Sequence, residues 1–297
     1  MTRKTAHDFD QELLILFDAY VHGGIDRRTF LDRAAKFAVG GVTAAMLLEQ
    51  LSPKFLEAQV VKPTDSRLEQ EYLEFDSPNG YGKGRGYFAK PAGATGRLPG
   101  VLVIHENRGL NPHIEDIARR LALDNFVAFA PDALFPLGGY PGDEDKARQL
   151  FPQLDQTKTR ADFIAVAGFL KSRPECTGKI GAVGFCYGGG MVNYLATQLG
   201  SDLSGGVPFY GSSPNAEDVA RIRCPMLIQS AENDQRINAS WPAYEEALKA
   251  AKVSYERFLY PGTQHGFNND TTPRYDAAAA KLAWERTVAF FNKNVRS

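Results

Sequence analysis

Gly181-Ala182-Val183-Gly184-Phe185-Cys186-Tyr187-Gly188-Gly189 is the stretch that decides the fold. Residues 179–185 read as a strand and residues 188–199 as a helix, so the chain turns sharply at Cys186. A turn this tight tolerates only small neighbours, and Gly184 and Gly188 supply them. It lifts one side chain above a sheet and sets it at a helix N-terminus. There the partial positive charge favours a thiolate. The N–H of Tyr187 faces the same place, where it can stabilise an oxyanion. The usual elbow of this kind is Gly-x-Ser-x-Gly; the chain has none, and the nucleophile here would be Cys186. A free cysteine is also commonly just a buried apolar side chain. The strand-turn-helix context separates the two readings.

Working outward, strands and helices alternate. Residues 71–75 and 84–90 read as an opening strand pair, then 99–105 as a strand apolar on both faces. Residues 112–123 carry Ile114, Ile117, Ala118 and Leu121 on one helical face. A strand follows at 126–130, a Gly/Pro-rich loop at 135–142 and a helix at 161–171. Further strands are expected at 206–210, 226–230 and 254–260, and a terminal helix at 274–294. This rhythm predicts an α/β chain with a mostly parallel central sheet covered by helices on both faces, over residues 61–297.

A nucleophile of this kind needs a base, and the base an orienting acid, in the chain order nucleophile, acid, His. Of the five histidines only His265 follows Cys186. It lies in a Gly-flanked loop between the last strand and the last helix. The acid belongs at the end of the preceding strand, where Asp234 is the first choice and Glu232 the second; either could instead cap the next helix.

These residues resemble the dienelactone hydrolase family of α/β-hydrolases. The matching features are His105-Glu106-Asn107-Arg108-Gly109, the Cys186 elbow, Asp234 and His265-Gly266-Phe267, and the resemblance covers roughly residues 65–295. It implies an α/β-hydrolase fold and a carboxylic ester hydrolase of the carboxymethylenebutenolidase type. Cys186 would be the nucleophile, His265 the base and Asp234 its orienter. The resemblance adds Glu106, which would contact the resting thiol and help ionise it, and the N–H of Asn107 as second oxyanion donor beside Tyr187. No metal or organic cofactor is implied. Family members acting on dienelactone bind its carboxylate with two arginines, whose positions are held here by Pro136 and Asn269. Arg108, Arg236 or Arg274 could replace them. The 135–142 loop with Tyr187, Tyr210 and Trp241 could shape a more neutral pocket.

The chain has 297 residues, 43% hydrophobic and 23% charged, with a formal charge of −1. That is a globular composition with material for a large core. The near-zero charge argues against a nucleic-acid partner. No apolar run reaches the ~20 residues of a membrane span. Cys176, Cys186 and Cys224 cannot all pair, and none lies in a CxxC. The expected partner is a small ester or lactone; the oligomeric state is not specified.

Residues 1–60 lie outside the family core. Leu13, Leu14, Leu16, Phe17 and Tyr20 recur at helical spacing before Gly23-Gly24. Arg27-Arg28-Thr29-Phe30-Leu31 ahead of the uncharged stretch 37–48 resembles a twin-arginine export signal. The residues before it are more acidic than basic, however, and no clean Ala-x-Ala follows. Two readings therefore stand: a periplasmic export signal, or amphipathic helices packed on the catalytic domain of a cytoplasmic protein. Two rivals to the hydrolase also stand, a non-catalytic binding module on the same fold and a redox-responsive thiol at Cys186.

Overall fold

Strands apolar on both faces must be covered on both, and here they line up in one eight-stranded sheet. A computed structural model describes residues 4–296. The strands are β1 (Leu68–Ser77), β2 (Gly82–Pro91), β3 (Leu98–Ile104), β4 (Val127–Pro131), β5 (Cys176–Phe185), β6 (Gly205–Phe209), β7 (Met226–Asn233) and β8 (Tyr255–Gln264). Their order is β1-β2-β4-β3-β5-β6-β7-β8. β2 pairs antiparallel with β1 and with β4, and the remaining pairs are parallel. This is the α/β-hydrolase arrangement, with β5 central.

Four short helices precede the sheet: α1 (Gln11–Val21), α2 (Arg27–Ala34), α3 (Ala44–Leu51) and α4 (Phe55–Ala58). The rest are α5 (Pro112–Leu123), α6 (Glu144–Leu150), α7 (Gln156–Ser172), α8 (Tyr187–Leu199), α9 (Ala216–Val219), α10 (Gln235–Asn238), α11 (Trp241–Ala250) and α12 (Ala277–Asn294). On one face α5 and α12 pack on Val101, Val103, Val183, Phe185 and Val207. On the other, α7, α8 and α11 pack on Leu102, Ile104 and Ala182. Successive β3 residues thus alternate between two apolar layers.

Expected and observed elements differ mainly at their ends. The helix expected at 161–171 starts earlier because Asp155 accepts from the N–H groups of Thr157 and Lys158. The terminal helix starts at Ala277, capped by Asp276, and not at 274. The last strand runs on to Gln264, past a register shift between Ala231 and Asn233.

In this structure residues 4–60 lie against the sheet domain; residues 1–3 lie outside the described residues. Leu13, Leu14, Phe17 and Tyr20 of α1 meet Phe30 and Ala34 of α2 and Leu47, Leu48 and Leu51 of α3 in a separate apolar cluster. Arg27 and Arg28 form the first turn of α2 behind the Asp26 cap. Polar ties fix the segment to the body. The N–H of Lys54 donates to the Thr271 carbonyl at 2.8 Å. Those of Val60 and Val61 donate to the Asp116 carboxylate at 3.1 and 2.8 Å. Among the described residues no helix is long and apolar enough to cross a membrane.

Candidate active site

The turn after β5 is as tight as its glycines require. A Cβ on Gly184 would lie 2.2 Å from the Gly188 carbonyl oxygen, and one on Gly188 2.2 Å from that of Ile104. Cys186 itself has φ +56° and ψ −111°, a conformation L residues adopt at some cost. Its N–H donates to the Phe209 carbonyl at 3.1 Å and its carbonyl accepts from Gly190 at 3.1 Å, so β6 and α8 hold the strained residue in place. Tyr187 is the first residue of α8, and its N–H has no partner within the helix.

Asp234 follows β7 and caps α10; His265 follows β8. Asp234 Oδ2 lies 2.5 Å from His265 Nδ1, and both side chains are buried. Glu232, the second candidate acid, instead accepts from the Gly262 N–H at 2.7 Å on the exposed rim. With Nδ1 committed to Asp234, the buried His265 ring faces Cys186, their ligand atoms lying within 4.8 Å.

A second histidine reaches the sulfur. His22 caps the C-terminus of α1, and its Nε2 is 3.2 Å from Cys186 Sγ. Its Nδ1 is 2.8 Å from the Asp18 carbonyl and 3.3 Å from the Asp18 carboxylate. The His22 and His265 rings meet edge to face at 4.7 Å between centroids. Chain order had singled out His265, but folding brings in a histidine from the other side of the sequence. An Asp-x-x-x-His pair at the end of a predicted helix was the only available signal.

The charges are coupled. Burial alone would push the Cys186 thiol up, but His22 and His265 outweigh it and hold the thiol at about 5. Burial would lower His265, yet the facing sulfur and Asp234 raise it to about 10. His22 is also raised, the Cys186 and Asp18 charges outweighing its burial. These shifts favour a thiolate at Cys186 facing a protonated His265, with His22 beside it and also raised.

Glu106 and Asn107 follow β3. The Glu106 carboxylate accepts from Asn269 Nδ2 at 3.0 Å, so the residue at one expected arginine position ties down Glu106. Pro136 lies in a single helical turn, Phe135–Leu137. Of the replacement cations, Arg108 and Arg274 line the cavity beside Cys186, while Arg236 lies 3.3 Å from His22 Nε2. Arg108 faces Glu144 and Arg274 faces Asp18, so neither is an unpaired cation. The cavity has a volume of about 50 Å³, and its apolar walls include Phe17, Tyr20 and Val21 of α1. This corrects the expectation that Tyr187, Tyr210 and Trp241 shape it. The Tyr187 ring stacks on His105, Tyr210 packs behind His265, and Trp241 lies under Arg257 in a separate depression. Cys224 is buried beside Met226 in the other apolar layer, and all three cysteines are free.

Comparison with known proteins agrees with this architecture. Residues 85–295 match the model of the dienelactone hydrolase family, and residues 1–36 match a second, YqhI-like, model. Protein usf of Aquifex pyrophilus is 35% identical, over 75% of this chain and 98% of its own. An Escherichia coli K12 protein named "Putative carboxymethylenebutenolidase" is 31% identical, over 70% and 81%. A Klebsiella pneumoniae crystal structure described as a "Putative Dienelactone Hydrolase" is 27% identical and superposes with a TM-score of 0.66, over 76% of this chain and 99% of that one. With a family model spanning most of the chain and the same sheet beneath it, this protein belongs to the dienelactone hydrolase family and is a carboxylic ester hydrolase.

Proposed function

We propose that the chain cleaves a small ester or lactone through a Cys186–His265–Asp234 triad and an acyl-thioenzyme. The observation that carries this reading is the strained Cys186 at the tip of β5, faced by an imidazole whose Nδ1 is fixed 2.5 Å from Asp234.

The Cys186 thiolate attacks the ester carbonyl and forms a C–S bond. The tetrahedral oxyanion rests on the N–H groups of Asn107 and Tyr187. As it collapses, the C–O bond breaks and His265 Nε2 gives its proton to the leaving alkoxide or enolate. The other half-reaction reverses these roles. His265 takes a proton from water, the hydroxide attacks the thioester, and the acid leaves as the C–S bond breaks. Asp234 holds the Nδ1–H tautomer and stabilises the imidazolium. Enolates need little protonation to leave, which suits a thiol nucleophile to activated esters and lactones. With Pro136 and Asn269 where two arginines would stand, and Arg108 and Arg274 paired to acids, the substrate is less anionic than dienelactone.

The test is hydrolysis of a short p-nitrophenyl ester and of a dienelactone by wild type and Cys186→Ala. Turnover of both lost with the sulfur, and the neutral ester preferred, is the expected result. Full activity in Cys186→Ala would overturn the mechanism. Trapped acyl groups, not peroxide-formed sulfenate, separate the hydrolase from a redox thiol.

A further inference from the structure

The mechanism above leaves one histidine unused. We propose that His22, carried in by the N-terminal segment and backed by Asp18, is a positioning residue for Cys186, a second imidazole that holds the sulfur as a thiolate in the closed site. This rests on Cys186 being the nucleophile.

Geometry comes first. The sulfur lies 3.2 Å from His22 Nε2, and His265 faces it beside that ring, their ligand atoms within 4.8 Å of one another. His22 Nδ1 is engaged by the Asp18 carbonyl and carboxylate, so its proton is committed there and Nε2 is aimed at the sulfur. Two carboxylate–imidazole pairs thus converge on one thiol, Asp234–His265 from the sheet and Asp18–His22 from α1. The helix adds to this. His22 is the C-cap of α1, where the free carbonyls favour a cation. The last of them, Val21, accepts from Asn107 Nδ2 and Arg108 Nη2, both at 2.9 Å. That fixes the end of α1 to the loop bearing the proposed oxyanion donor Asn107. Glu106, expected to act on the thiol, lines the same cavity, one of its carboxylate oxygens accepting from Asn269. The residues matching the YqhI-like model, 1–36, contain both Asp18 and His22.

Every charged element around the thiol enters the balance. His265 and Asp234 face it from the loops after β8 and β7, Glu106 and Arg108 from the loop after β3, and Tyr210 from the end of β6. Arg274 pairs with Asp18 behind His22 at 3.2 Å. Arg236 of α10 competes most directly, with Nη2 3.3 Å from the same His22 Nε2. One ring nitrogen cannot donate to a thiolate and accept from a guanidinium. The sulfur contact is the shorter one although sulfur is the larger atom, which favours the thiolate–imidazolium pair. The step moves one proton from Sγ to Nε2 and needs no other reactant.

The test is the pH dependence of carbamidomethylation by iodoacetamide, read on the Cys186 peptide by mass spectrometry in the full-length chain. Cys176 and Cys224 are buried, and Cys224 is pushed up to about 12, so neither intrudes. In His22→Ala the midpoint should rise by ~1 pH unit or more, a tenfold smaller thiolate fraction on the acid side. Asp18→Asn should move it the same way by less and serves should His22→Ala misfold. Glu106→Gln should leave it unchanged or lower it. A folded His22→Ala with an unmoved midpoint overturns the proposal, as does one that gains only a higher plateau, since His22 would then merely obstruct the reagent. Hydrolysis by Cys186→Ala reports separately on the nucleophile, so a shifted midpoint together with an active Cys186→Ala would sink the proposed mechanism and leave the thiolate pair standing.

Discussion

At Cys186 and His265, opposite charges are held in place over a wide span of pH. His22 and His265 hold the thiol down at about 5, and the facing sulfur and Asp234 hold the His265 imidazole up at about 10. Acylation needs thiolate and imidazolium together. Below about 5 the sulfur gains a proton and loses its nucleophilicity; above about 10 the imidazole loses the proton it must give. The expected profile of kcat/KM for an alkyl ester, whose alkoxide needs that proton, is therefore a broad bell, rising through about 5 and falling through about 10. A profile with one acid limb near the ordinary thiol range would contradict the ion pair. Asp234 sets the tautomer, and Asp234→Asn should cost kcat ~10³–10⁴-fold while leaving the melting temperature nearly unchanged. A loss below tenfold would mean that His265 is oriented by something else.

The elements that place these residues were legible where one local rule decided them. The β5 turn could be read because glycine is required on both sides of the nucleophile, and the structure gives the reason: Gly184 and Gly188 touch backbone, which cannot move aside. Gly184→Ala should accordingly destabilise the protein by about 3 kcal/mol or more, read by denaturant unfolding. Little change would mean that the turn is looser than its geometry. Helix α5 was legible to its ends because its apolar face and its Pro start coincide. Helix α6 was not, because its short, charge-balanced sequence depends on the Asp143 cap and on Ala147 packing below it. The cavity wall was misread for a related reason. Tyr187, Tyr210 and Trp241 are near the right elements, but a side chain's direction at a turn is set by tertiary contacts that no periodicity records. The same limit hid His22, since chain order constrains the sheet-borne triad and says nothing of a residue arriving from outside it.

Across the whole molecule, the N-terminal segment closes the site. The end of α1 is held by Asn107, Arg108 and Arg274, while Tyr20 donates to Asp145 of α6 with Arg148 stacked on its ring. The cavity of about 50 Å³ has room for a few waters at ~10–15 Å³ each, and α1 forms one of its walls, so a bulky ester is expected to displace α1. The cover is attached by polar contacts and one edge of its own apolar cluster, whereas β3 and β5 are buried on both faces. Opening the cover therefore costs far less than disturbing the sheet. A covalent group larger than the cavity should then lift α1 and leave the sheet intact. After N-ethylmaleimide modifies Cys186, amide exchange across 12–22 should accelerate at least tenfold, and that of β3 and β5 should not change. Unaltered exchange in α1 would require a different entrance. Since α1 also carries His22, opening the entrance withdraws one of the two cations from the sulfur, so admission of substrate and the charge on the nucleophile are coupled through a single helix.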